Sequence, residues 1–196
     1  MVNHVWGLLA HPRTEFKNIK SENETLSHLY THHVLLMALI PVICTYIGTT
    51  RWGWLSGGGQ AIRLDMITAL YTAVAFYLLM LAGVAIMGKV IHWMARRYET
   101  RPSLHHCMVF AGYVATPMFL SGVVALYPVL WLCLLAGIIG LCYSAYLLYV
   151  GIPHFLNIDR KEGFIFSSST LAIGILLLEF LLGLTVVLWG YGSWFI

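Results

Sequence analysis

Few residues in this chain could do chemistry, and the most conspicuous is a lone carboxylate. Glu179 sits in LLLEFLLG, Leu176 to Gly183, with leucine or phenylalanine on either side. If the run crosses a bilayer, an acid near its centre costs about 2.5–3.5 kcal/mol, so the carboxyl must meet a partner or give up its charge. The chemistry open to it is proton uptake and release, coordination of an ion or solute, or a hydrogen bond to a neighbouring helix. No lysine or arginine lies at comparable depth. The expected resting form is therefore the neutral acid, facing the bundle interior, with the hydroxyls of Tyr113, Thr116, Ser121, Tyr143 and Ser144 as candidate partners.

A second constellation is GYVATP, Gly112 to Pro117, in which Gly112, Tyr113, Thr116 and Pro117 interrupt an apolar run. Proline has no N–H to give the carbonyl four residues back, so the Tyr113 carbonyl needs another partner and the helix is expected to kink. The kink could line a cavity or gate; a packing bend is the favoured account, because Gly112, Ala111 and Ala115 permit close helix contact. Pro41 raises the same question for the Met37 carbonyl. The nine histidines all fall on one predicted side of the membrane. They lack regular ligand spacing, so they are read as interfacial polar groups; no metal site and no cofactor is expected. Catalytic signatures such as G-x-S-x-G, H-E-x-x-H and a phosphate loop are missing, and the hydroxyls of FSSST, Phe166 to Thr170, are read as caps at the start of the last spanning helix.

These residues need elements to position them, and composition says which. Apolar residues make up 60% of the 196 and charged residues 10%, against roughly 45–50% and 25% in ordinary globular chains. The chain is predicted to be an all-α polytopic membrane protein. A span needs about 20 mostly apolar residues, and five stretches qualify: His33 to Thr49, Thr68 to Gly88, Cys107 to Leu126, Val129 to Ile152 and Leu171 to Gly192. Pro128 in LYPVL leaves room only for a tight turn, so the third and fourth spans form an antiparallel hairpin. Nine of the eleven lysines and arginines precede the first span or lie between the second and third or the fourth and fifth. Positive charge prefers the cytoplasmic side, which places the N-terminus in the cytoplasm and the C-terminus outside. Trp52, Trp54, Trp93, Tyr98, Trp189, Tyr191 and Trp194 fall at the span ends, as interfacial rings do. A net charge of +3 scattered over loops offers no nucleic-acid surface. The four cysteines read as small buried hydrophobes.

Residues 1–31 mix Trp6, Leu8, Leu9, Phe16 and Ile19 with basic residues, and Pro12 marks a break or a fresh start. A short amphipathic helix in the cytoplasmic interface is expected there, ahead of a five-helix domain over residues 32–196. HPRTEFKNI, His11 to Ile19, resembles the entry segment of bacterial members of the Yip family (Ypt-interacting proteins), and GYVATP resembles the glycine-tyrosine and later proline of that family's third span. The resemblance extends over essentially the whole chain. It implies five spans, a cytoplasmic N-terminus, a bacterial cytoplasmic membrane and a non-enzymatic protein that organises or binds partners. Pro12, Phe16 and Ile19 then become the candidate partner-binding segment, with membrane lipids and further copies or other membrane proteins as partners. Eukaryotic relatives associate with Rab-type GTPases and carry an acidic-Leu-Tyr-Gly-Pro segment; this chain reads SHLYTHHVLL there, so a Rab-type partner is not expected. The competing expectation is a small transporter or channel whose pathway includes Glu179 and the Gly112–Pro117 break.

Overall fold

Long apolar runs in this chain become helices because, in lipid, the helix satisfies every backbone polar group within one segment. The structure, a computed structural model, describes residues 2–21, 33–55, 61–98, 101–156 and 158–192. The expected boundary at 31/32, the SHLYT stretch, the glycine loop 56–60 and Trp194 lie outside the described residues. Two short helices open the chain, α1 (Val2–Ala10) and α2 (Pro12–Ser21). The first span is α3 (Leu35–Ile47), prolonged by a wider π-type turn, Gly48–Trp52. The second is α4 (Met66–Ala95). The third combines α5 (Leu104–Val114), α6 (Thr116–Ser121) and a 3-10 turn, Gly122–Leu126. The fourth and fifth are α7 (Leu130–Phe155) and α8 (Arg160–Gly192). Five of these segments are long and apolar enough to cross a membrane. Among the described residues there is no strand, only isolated bridges.

Polar residues set several helix starts. Asp65 accepts the Ile67 N–H at 3.1 Å and opens α4, and Ser103 accepts the His106 N–H and opens α5; each satisfies a donor that has no intrahelical partner. The FSSST hydroxyls do not cap. The last helix begins at Arg160, not near Leu171, with Gly163 donating to the Asp159 carbonyl in its first turn. Ser168 and Thr170 instead bond the carbonyls of Phe164 and Phe166, four residues back, inside the helix. A sequence window judged on apolarity alone starts a span where the charges stop, whereas the helix extends through the headgroup level.

The third span is the centre of the bundle, with α3, α4 and α7 packed around it, while α8 lies outermost against α4 and α7. Close approach fixes the registers. A Cβ on Gly140 of α7 would lie 2.9 Å from Ser121 Oγ and 3.1 Å from the Pro117 carbonyl oxygen, so a larger residue there would push against the third span. Gly83 of α4 meets Leu181 of α8, and Gly174 of α8 faces Met87, so those two helices run antiparallel. Gly122 meets Pro41, and Gly48 meets Ala125, so α3 runs parallel to the third span. With His33 level with Thr116, the first span begins about 18 Å along the third, counted from Leu104 at 1.5 Å per residue. The place beside α5 and α7 below that level is filled by α2, whose Phe16 packs on Phe110 and Phe155.

Candidate intramembrane site

Pro117 interrupts the third span as its chemistry requires: the helix breaks at Ala115 and resumes as α6. The interruption turns Tyr113 and Thr116 toward the start of the first span, where His33 meets both. His33 Nε2 and Thr116 Oγ1 share a hydrogen bond of 2.9 Å, and the imidazole lies over the Tyr113 ring at 4.4 Å between centroids. The Thr116 hydroxyl also donates to the Gly112 carbonyl at 3.4 Å, which leaves its oxygen to accept from the Nε2–H tautomer of His33. His33 is 3% exposed, Thr116 1% and Tyr113 2%. The His33–Thr116 hydrogen bond and the His33–Tyr113 ring contact, made by three buried side chains, tie the kink to the first span.

Glu179 is not part of that contact. Its helix, α8, buries the face carrying Phe166 and Thr170 and presents Ala172, Leu176, Glu179, Gly183 and Val186 outward as one exposed stripe. Leu176 and Phe180 are each 66% exposed, and a Cβ on Gly183 would meet nothing within 4 Å. The register with Gly83 puts Glu179 about 15 Å inside the level of Ala95, near the bilayer centre. The acid expected to face the bundle interior therefore points away from it, toward lipid or toward another chain. Its candidate partners are engaged or placed elsewhere: Ser121 donates to the Met118 carbonyl, and Ser144 is buried on α7.

Tyr143 has a different task. Pro12 cannot donate to the Leu8 carbonyl, and the Tyr143 hydroxyl reaches across from α7 to donate to the carbonyls of Leu8 at 3.2 Å and Leu9 at 2.8 Å. This contact holds the end of α1 on the bundle. Pro12, Phe16 and Ile19, expected to bind a partner, are buried, Phe16 at 0% and Ile19 at 2%. They dock α2 onto the chain's own α5 and α7, while Arg13, Thr14 and Lys17 form its exposed face. Leu8 of α1 and the apolar face of α2 thus join the core, while Trp6 and Leu9 of α1 remain exposed.

His33 and Tyr143 are the positions that sequence reasoning misplaced, the first as interfacial and the second as a partner for Glu179. The available signal was His33 at the very start of an apolar run, HVLLMALI. Three other histidines make local contacts: His92 Nδ1 with the Pro102 carbonyl, His106 Nδ1 with Ser103 and His154 Nδ1 with the Val150 carbonyl. Among the described residues no three metal-ligating side chains converge.

A profile of the Yip1 domain matches residues 6–195. Inner membrane protein YohC of Escherichia coli strain K12 is 66% identical over 191 residues, covering 97% of this chain and 98% of YohC. YohC of Escherichia coli O6:H1 strain CFT073 matches to the same extent. No solved structure matches the chain.

Proposed function

The chain belongs to the Yip1 domain family, and on that footing we propose that it is a non-enzymatic protein of a bacterial inner membrane that binds another spanning helix inside the bilayer. The observation that carries this reading is the position of Glu179: near the bilayer centre and on the outward stripe of the outermost helix. A carboxyl there costs about 2.5–3.5 kcal/mol unless it is satisfied, and the stripe of Ala172, Leu176, Glu179, Gly183 and Val186 has a glycine one turn from the acid, so a second backbone could approach. The occupant we assign is a second copy of this chain. Two stripes related by a two-fold axis would set one carboxyl against the other, a self-complementary pair. The transport alternative has less support, because Glu179 and the Gly112–Pro117 break do not share a space. The YohC proteins are named as inner membrane proteins, and the basic residues favour an N-terminus in the cytoplasm and a C-terminus in the periplasm.

The test is a photoactivatable side chain at position 180, activated in intact membranes. The expected product is a crosslink of twice the chain's mass, lost in Glu179→Leu and retained in Glu179→Gln, whose amide still pairs. A crosslink to a different protein would keep the docking face and change its occupant. Adducts to lipid alone in the wild type would sink the reading.

A further inference from the structure

The lower ends of α4 and α8 enclose a cavity of about 220 Å³ that the reading above does not use. Its rim carries Trp93 from the last turn of α4 and Arg97 and Tyr98 from the turn that follows it, and its wall and floor are Phe166, Ser169 and Ile173 from α8. The guanidinium of Arg97 stands over the Trp93 indole at 5.5 Å, and Tyr98 packs edge-on against Phe166 at 5.4 Å. Trp93 is 60% exposed, so the rim opens sideways to the bilayer as well as to water. Cation and hydroxyl at the rim, with aromatic and aliphatic walls running inward, suit an amphiphile whose anionic head meets the guanidinium and whose chain follows the walls.

We infer that this cavity binds one anionic phospholipid, with the phosphate on Arg97 and an acyl chain running past Phe166 to Ile173. Several features point to a lipid and not to a soluble anion. The cavity lies where α4 leaves the apolar zone, Trp93 and Tyr98 mark the headgroup level, and basic clefts between spanning helices at that level suit such headgroups. Arg96, Arg101 and Lys161 are exposed at the same end of the bundle and add positive potential. The acids Asp159 and Glu162 are exposed at the start of α8, and among the described residues neither pairs with Arg97. The guanidinium can therefore offer its fork of donors to a phosphate, and the Tyr98 and Ser169 hydroxyls, without a protein hydrogen bond among the described residues, can add two more.

Native mass spectrometry of the full chain, in micelles supplied with equal dioleoyl phosphatidylglycerol and dioleoyl phosphatidylcholine, tests this. One phosphatidylglycerol should remain on each chain in preference to phosphatidylcholine. Arg97→Gln should reduce that retention about tenfold or more, the loss of one charged hydrogen-bonded contact. Ile173→Trp, which fills the floor and leaves the charge, should also release the lipid, whereas Arg63→Gln at the opposite membrane face should change nothing. Thermal melting without added lipid shows that each variant folds. Equal retention of the two lipids, an unaffected Arg97→Gln, an equal loss in Arg63→Gln, or displacement by inorganic phosphate would each overturn the inference.

Discussion

Thr116 illustrates what a single buried hydroxyl does in this bundle. It shares a hydrogen bond with His33 and donates to Gly112, so its removal takes a hydrogen-bonding oxygen away from an imidazole that is 3% exposed. Thr116→Val, nearly the same in shape, is expected to destabilise the protein by about 1–3 kcal/mol, whereas Thr116→Ser keeps the oxygen and most of the stability; melting in detergent separates the two. Tyr143 and Pro12 form a second pair. Tyr143→Phe strands the Leu8 carbonyl and should cost about 0.5–1.5 kcal/mol. On a Pro12→Ala background the restored N–H can serve that carbonyl, so the same change should cost less. Equal costs on both backgrounds would mean that Tyr143 does not compensate for the proline. The proline, the glycine-tyrosine pair and the isolated acid could be singled out in the sequence because each breaks an apolar pattern. Which group answers each break could not be, since His33 and Thr116 are 83 positions apart.

At the scale of elements, α2 shows why an amphipathic segment is ambiguous. An apolar stripe of Pro12, Phe16 and Ile19 opposite Arg13 and Lys17 suits a membrane surface, a partner or the chain's own core equally well. The structure selects the core through ring contacts of 5.6 Å to Phe110 and 6.0 Å to Phe155. Phe16→Ala is therefore expected to cost about 3–5 kcal/mol, as large-to-small changes in packed cores do, and hydrogen exchange should show α2 released. Gly151 gives an independent check, because a Cβ there would run into the rings of Phe110 and Phe16. Gly151→Val should detach α2 while leaving the α4 and α8 pair intact. A variant that keeps α2 protected would refute the docking. Span positions were legible because length and apolarity are properties of a run of residues, but helix ends in the headgroup zone were not, as α8 shows by starting among charges at Arg160.

For the whole molecule, the outermost helix decides how the protein presents itself to its surroundings. Only 6% of the most apolar window of the fifth span is buried, against 44% for the third, so α8 is the face most available to lipid or to another chain. Glu179→Leu should leave the monomer fold intact, or slightly stabilise it by removing the cost of an acid in lipid, while abolishing the crosslinked dimer. Loss of the folded monomer in that variant would place the acid in the core. A reporter fused at the C-terminus is expected to be active in the periplasm and silent in the cytoplasm; the opposite pattern would reverse the orientation set by the basic residues.

By itself the sequence determined the class and the five spans, because hydrophobic length acts locally and is read without knowing what packs on what. The resemblance carried by HPRTEFKNI and GYVATP was likewise a property of contiguous residues. Only the tertiary structure decided that His33 belongs to the kink, that Phe16 belongs to the core and that Glu179 faces outward. Those are questions of which helix face meets which neighbour. A helix hydrophobic all round, as a span must be, carries almost no amphipathic signal to say which side is inside.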